Sequence, residues 1–103
     1  MFTEALSLEA FEEAIVDDTS KIIIDFVSRT CAPCKALGVT LQDFSKKYPK
    51  QKIIKVDVEI INELARKFFV RSVPTLIILQ DGEVKTQWTG TCSEKKLLEL
   101  LEE

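Results

Sequence analysis

The amino-acid sequence predicts an α/β fold in which a mixed β-sheet of four to five strands is flanked by helices on both faces. Apolar runs of strand length at residues 21–27, 52–58 and 75–79 are separated by segments in which apolar side chains recur every three or four positions. The pair Asp81-Gly82 then indicates a tight turn into a paired strand at 83–89. Strands that alternate with helices and end in a hairpin form a sheet with parallel and antiparallel neighbours.

Chain length and composition predict a single domain spanning residues 1–103, since 46% of the residues are hydrophobic and 30% are charged. The formal net charge of -3 and the absence of a basic run argue against nucleic acid or an anionic membrane as a partner. No apolar run is long enough to span a bilayer. The N-terminus lacks the basic region and apolar core of a signal peptide, so we expect a cytoplasmic protein.

The first half of the chain predicts a short strand, a helix and a buried strand. Ser7 is suited to cap the helix. Four apolar residues follow it at helical spacing: Leu8, Phe11, Ala14 and Ile15. The polar residues 17–20 end this helix, and the nearly continuous apolar run at 21–27 is typical of a strand that is covered on both faces.

The second half continues the alternation. Residues 33–48 predict a helix with Pro33 in its first turn, where proline is tolerated. Residues 52–58 predict a strand and residues 60–69 a helix. After the hairpin, Ser93 is suited to cap a final helix, which gives the order β-α-β-α-β-α-β-β-α.

The sequence Cys31-Ala32-Pro33-Cys34 places two thiols at the start of the long helix. A helix start carries unpaired N–H groups and a partial positive charge, and both stabilise a thiolate. Cys31 is therefore the candidate nucleophile, with Arg29 and Lys35 adding positive charge. We also consider a fixed disulfide, which would contribute only about 2 kcal/mol across so short a loop. Half of a zinc site is a further alternative, but no histidine and only one other cysteine are present, so we expect no metal.

Two signatures in the chain resemble those of the thioredoxin family. Asp25-Phe26, followed by Cys31-Ala32-Pro33-Cys34-Lys35, is similar to the family's active-site segment. Val73-Pro74-Thr75, some forty residues further on, resembles the family's second signature, whose proline is cis. Asp81-Gly82 and Gly90 fit the closing hairpin and the loop after it. The similarity covers essentially the whole chain and implies the thioredoxin fold.

Four positions depart from the family pattern. Thr30 replaces a tryptophan, Ala32 replaces a glycine, and Val27 stands where an aromatic residue usually follows the Asp-Phe pair. The proline that usually kinks the long helix is absent, and Gly38-Val39 occupies that region. These changes bear on redox potential and partner choice rather than on the fold or the dithiol chemistry.

The resemblance implies a catalytic role for four residues: Cys31, Cys34, Asp25 and Lys55. Cys31 attacks a substrate disulfide, and Cys34, one turn into the helix on its apolar face, resolves the mixed disulfide. Asp25 assists proton transfer at Cys34 from beneath the dithiol, and Lys55 tunes its charge. The sequence alone leaves two alternatives for Asp25, which are a wet edge of the sheet or an ion pair with Lys55.

The resemblance also implies that Pro74 is cis and presents backbone groups to an extended substrate, although cis is the rarer form from composition alone. Six further residues are expected to line the substrate groove: Thr30, Ala32, Pro33, Val73, Gly90 and Thr91.

Cys92 and Trp88 are not assigned a role by either signature. Cys92 is interpreted as a small buried apolar residue, with a regulatory or dimer-forming thiol as the alternative. We expect Trp88 to pack under a helix or to expose one edge.

These observations predict an enzyme, a thiol-disulfide oxidoreductase that reduces protein disulfides through a reversible Cys31–Cys34 disulfide. The resemblance implies that it receives electrons from an NADPH-dependent thioredoxin reductase, a flavoprotein that is a partner and not a bound cofactor. We expect no bound cofactor and a monomer. The alternatives are a specialised relative that serves one dedicated partner and a non-catalytic binding module that uses the groove beside Pro74.

Overall fold

A computed structural model describes all 103 residues of the chain. The nine elements follow the predicted order: β1 (Phe2–Ala5), α1 (Leu8–Ile15), β2 (Ile22–Val27), α2 (Ala32–Lys47), β3 (Ile53–Asp57), α3 (Asn62–Lys67), β4 (Thr75–Gln80), β5 (Glu83–Thr89) and α4 (Glu94–Glu102). Serine side chains cap α1 and α4 as predicted, because Ser7 and Ser93 accept hydrogen bonds from the backbone N–H groups of Ala10 and Lys96.

The strands form one mixed sheet in the order β1-β3-β2-β4-β5. Strands β1 and β2 run parallel to β3, whereas β4 is antiparallel to both β2 and β5. All six residues of β2, the central strand, are buried. This arrangement confirms the predicted mixed sheet and explains the continuous apolar run of β2, which is covered on both faces.

Alternate side chains of each strand point to opposite faces of the sheet and create two apolar cores. The first core packs α1 and α3 against the sheet through Phe11, Leu64 and Phe68. The second core packs α2 and α4 against the other face through residues that include Leu37 and Leu97. Because α2 and α4 share the second face with Asp25, that face carries the candidate site.

Helix α3 is shorter at both ends than the predicted 60–69. At its start, the N–H groups of Ile60 and Ile61 both bond to the Asp57 carbonyl in a turn that follows β3. At its end, Phe69 adopts a φ of 55°. The N–H of Phe69 bonds to the Arg66 carbonyl and that of Val70 to the Ala65 carbonyl, which is the Schellman arrangement that stops a helix.

Phe69→Gly is expected to stabilise the protein by about 1 kcal/mol, because a left-handed backbone conformation costs any residue that carries a Cβ atom. The ring of Phe69 is 77% exposed, so its loss removes little packing. Urea denaturation of the wild type, Phe69→Gly and Phe69→Ala measures the effect. The alanine variant keeps the Cβ atom and should stay near the wild type. A glycine variant that is less stable than the alanine variant would contradict the backbone explanation.

Candidate active site

Three loops lie at the same end of the strands of the sheet. Phe26 near the end of β2 pairs with Thr75 at the start of β4, and Thr75 pairs in turn with Thr89 at the end of β5. The loop from β2 into α2 therefore lies at the same end of the strands as the loop before Pro74 and the loop after Thr89. The residues of both sequence signatures lie at this end.

Cys31 is the N-cap residue of α2 and is disulfide-bonded to Cys34, with 5.2 Å between the two Cα atoms. The N–H of Cys34 lies 3.1 Å from the Cys31 sulfur and donates to it. Cys31 is half-buried, whereas Cys34 is 5% exposed. No acidic residue stands in the first turn of α2. After reduction, the N–H donor and the positive end of the helix favour a thiolate at Cys31 rather than at Cys34.

Asp25 is a buried carboxyl without a protein partner. It lies in the central strand, is 1% exposed, and its Oδ1 atom makes no hydrogen bond. Burial raises the pKa of Asp25 to about 7, while the nearby Lys55 charge acts in the opposite direction. Both sequence alternatives for Asp25 are wrong, because it is buried in the central strand rather than exposed at an edge of the sheet, and it forms no ion pair with its register neighbour Lys55.

A cleft of about 910 Å³ brings Asp25, Cys34 and Lys55 together. The cleft lies between the N-terminal half of α2 and the β1–β3 side of the sheet, and its lining also includes Arg29 and Lys35. Cys31 is not part of the lining. The two cysteines therefore lie in different surroundings, since Cys34 lines the cleft and Cys31 lies outside it.

The Val73–Pro74 peptide bond is cis, as the resemblance implies, and the trans alternative is wrong. The N–H of Gly90 donates to the Pro74 carbonyl over 2.9 Å, which joins the two loops. Gly90 has a φ of 101°, a conformation that disfavours a side chain. Val73 and Gly90 are half-buried. Four predicted groove residues are exposed: Thr30, Ala32, Pro33 and Thr91.

The sequence model of the family described as Thioredoxin matches residues 2–103 of the chain. The chain belongs to the thioredoxin family. It is similar to thioredoxin C-2 of Corynebacterium nephridii, with 35% identity over 92% of this chain and 89% of that protein. It is also similar to the thioredoxin of Bacillus subtilis, with 34% identity over 91% of this chain and 93% of that protein.

Solved thioredoxins share the fold. The X-ray structure of Fasciola hepatica thioredoxin superimposes with a TM-score of 0.88 at 27% identity and covers 97% of this chain and 96% of its own. Plasmodium falciparum thioredoxin gives a TM-score of 0.86 at 29% identity and covers 97% of this chain and 96% of its own. The family, the fold and the paired cysteines together make this chain a protein disulfide oxidoreductase.

The structure shows no grouping of three or more histidine, cysteine, aspartate or glutamate side chains that would bind a metal ion. None of the four helices combines the length and the apolar character needed to cross a bilayer.

The third cysteine, Cys92, directly follows the predicted groove residue Thr91 in the chain. Cys92 is free and half-buried, and it packs against the second core. Burial raises the pKa of its thiol to about 11, with the Lys96 charge opposing and the Asp25 charge adding to the effect. Trp88 also packs against the second core. Its indole N–H donates to the Thr91 carbonyl, and the Lys96 ammonium of α4 lies 4.6 Å from the ring centroid.

We expect Cys92 in the reduced protein to react with iodoacetamide at pH 8 about a hundredfold more slowly than an unhindered cysteine, because the raised pKa leaves little thiolate. Mass spectrometry of the alkylated peptides over time measures the rate at each cysteine. Labelling of Cys92 as fast as that of Cys31 would contradict its interpretation as an apolar packing residue.

The sequence did not identify Gly38 and Glu4 as neighbours of the site. Both line the cleft that contains Asp25. Gly38 carries a usable signal, since it lies four residues after Cys34 and hence on the same helix face. Glu4 carries none, because only the register of β1 against β3 brings it near Lys55.

Proposed function

We propose that this protein acts mainly as a cytoplasmic, monomeric reductant of protein disulfides and is recycled by an NADPH-dependent thioredoxin reductase. We also propose that residues 1–103 form one domain. The observation that carries the proposal is the asymmetry of the dithiol. Cys31 is the half-buried N-cap residue with an N–H donor on its sulfur, and Cys34 is more deeply buried one turn later.

In the first step, the Cys31 thiolate attacks one sulfur of a substrate disulfide. A mixed disulfide forms, the substrate S–S bond breaks, and the released substrate sulfur takes up a proton. In the second step, Cys34 loses its proton to the Asp25 carboxylate and attacks the Cys31 sulfur. The mixed disulfide breaks and the second substrate sulfur leaves as a thiolate. Two electrons have then passed from the dithiol to the substrate.

Asp25 is suited to this role because a base works best when its pKa lies close to the ambient pH. With a pKa of about 7, Asp25 is partly deprotonated near neutrality and returns its proton as readily as it accepts one. Lys55, the register neighbour of Asp25, favours the charged form. This balance supports Asp25 as proton acceptor and Lys55 as the residue that tunes it.

The substrate is proposed to lie extended beside Pro74. A proline has no N–H group, and the Pro74 carbonyl is already bonded to Gly90, so the neighbouring backbone at Val73 is left to bind the substrate chain. Four exposed residues are proposed to complete the groove: Thr30, Ala32, Pro33 and Thr91.

Reduction of insulin disulfides tests the proposal. With NADPH and thioredoxin reductase, we expect catalytic oxidation of NADPH and precipitation of the insulin B chain, and we expect neither with Cys31→Ser. Activity with dithiothreitol but not with the reductase would indicate a relative that serves a dedicated partner. No turnover with either reductant would contradict the proposal and favour a binding module.

A further inference from the structure

The floor of the cleft is a row of ionisable side chains in register. Glu4 of β1 pairs with Lys55 of β3, which pairs in turn with Asp25 of β2. Residues that are paired across neighbouring strands point to the same face, here the face that α2 covers. The row runs from the β1 edge of the sheet towards its central strand and ends at the carboxyl that has no hydrogen-bond partner at Oδ1.

The roof of the cleft has a gap at Gly38. Cys34, Gly38 and Gln42 line the cleft at four-residue intervals along α2, which places them on one side of the helix. A Cβ atom at Gly38 would meet no atom within 4 Å apart from its chain neighbours and the backbone of its own helix. Glycine is a poor residue for the middle of a helix. Its missing side chain leaves the cleft open between the two residues on either side.

The neighbours of Asp25 away from the cleft are buried. Asp25 lines the cleft beneath Gly38 and does not line the second pocket, which lies beside α1. The register neighbour of Asp25 on β4, Leu76, is 1% exposed, and Pro74 is buried. A proton that reaches the carboxyl from Cys34 therefore leaves most directly through the cleft.

We propose that Gly38 is a positioning residue whose missing side chain keeps a water-filled route open to Asp25, through which this carboxyl exchanges its proton with solvent during disulfide exchange. The inference rests on the proposed role of Asp25 as proton acceptor for Cys34. The ionisable groups that line the cleft with Asp25 are Glu4, Arg29, Cys34, Lys35, Lys55 and Asp57. Outside the cleft, Cys92 also lies within electrostatic reach of Asp25.

The route completes the proton balance of the second step. Cys34 gives its proton to Asp25, and water in the cleft carries that proton to the exterior, which restores the carboxylate. When the disulfide is reduced again, the Cys34 sulfur is released as a thiolate and takes a proton from Asp25, which the cleft replaces. Closing the cleft removes this water and leaves the carboxyl harder to ionise.

Gly38→Leu tests the inference, because its side chain would occupy the cleft. We expect the acid dissociation constant of Asp25 to fall about tenfold, measured by ¹³C NMR of carboxyl-labelled aspartate in the reduced protein. The reaction with dithionitrobenzoate separates the two chemical steps. The first release of thionitrobenzoate, from attack by Cys31, should keep the wild-type rate. The second, from attack by Cys34, should slow about tenfold at pH 7 and shift its pH profile to higher pH.

Two variants serve as controls. Ala36→Leu adds similar bulk on α2 at an exposed position that does not line the cleft, and it should match the wild type in both steps. Gly38→Ala improves helix propensity and adds only one carbon, so a full effect in that variant would point to the helix rather than to the cleft. If Gly38→Leu fails to fold, Val39→Phe closes the mouth of the cleft from a position that is 64% exposed.

A folded Gly38→Leu or Val39→Phe protein with the wild-type Asp25 titration and the wild-type second step would overturn the inference. The proposed function would survive that result, because it depends on turnover by the wild type. Failure of the wild type to reduce insulin would instead remove the proposed function itself. The variants therefore test the inference about Gly38, and the wild type tests the proposed function.

Discussion

Replacing Cys34 by serine is expected to turn the protein into a trap for its disulfide substrates. Cys31 still attacks from the start of α2, but no second thiol resolves the product, so the mixed disulfide persists. Turnover of insulin should fall by about a thousandfold or more. Non-reducing electrophoresis and mass spectrometry should show one substrate chain joined to Cys31.

Two further serine variants sharpen this result. Cys31→Ser should lose turnover and should not accumulate a mixed disulfide, because the buried Cys34 cannot reach a protein substrate. Cys92→Ser should retain both steps, since Cys92 packs against the second core and takes no part in the exchange. Trapping through Cys34 in the Cys31→Ser protein would reverse the assignment of attacking and resolving thiols.

Asp25→Asn is expected to stabilise the protein above neutral pH and to leave it unchanged near pH 4. Burial raises the pKa of Asp25 from 3.8 to about 7. Between these two pH values the folded state binds a proton that the unfolded state has lost, so the stability of the wild type falls as pH rises through this window. The loss is about 2–4 kcal/mol by pH 8. Asparagine carries no charge and removes this loss.

Urea denaturation between pH 4 and pH 9 measures this effect. The free energy of unfolding of the wild type should fall as the pH rises towards neutrality because Asp25 ionises, and this fall should be absent in Asp25→Asn. Lys55→Gln provides the matched comparison, because Lys55 lowers the pKa of Asp25 and its removal should extend the loss to higher pH. Equal pH dependence of the wild type and Asp25→Asn would show that Asp25 ionises freely in the folded protein.

The sequence predicted those parts of the fold that depend on local pattern. The apolar run of β2, the serine caps and the Asp81-Gly82 turn each have a short-range physical cause, and all three appear in the structure. The ends of α3 were not predictable in this way. Phe69 takes a left-handed conformation that glycine usually occupies, so the apolar periodicity ran past the true end of the helix.

The parts of the site that belong to the two short sequence signatures could be predicted. The helix start at Cys31 and the cis bond before Pro74 both followed from them. The absence of a hydrogen-bond partner for Asp25 could not be predicted from the signatures, because a carboxylate and a lysine on neighbouring strands suggest an ion pair that the structure lacks. The cleft was also beyond prediction, since its lining combines β1, β2, β3 and α2 from separate parts of the chain.

The central claim, that Cys31 and Cys34 form a reversible two-electron couple, is tested most directly by a redox titration. The protein is equilibrated in dithiothreitol or glutathione buffers, and the thiols are counted by alkylation and mass spectrometry. We expect a single two-electron transition confined to this pair. It should lie toward the reducing end of the range from about -270 to -120 mV, in which thioredoxin itself marks the reducing limit. A disulfide that stays closed throughout this range, or two thiols that titrate independently, would contradict the claim.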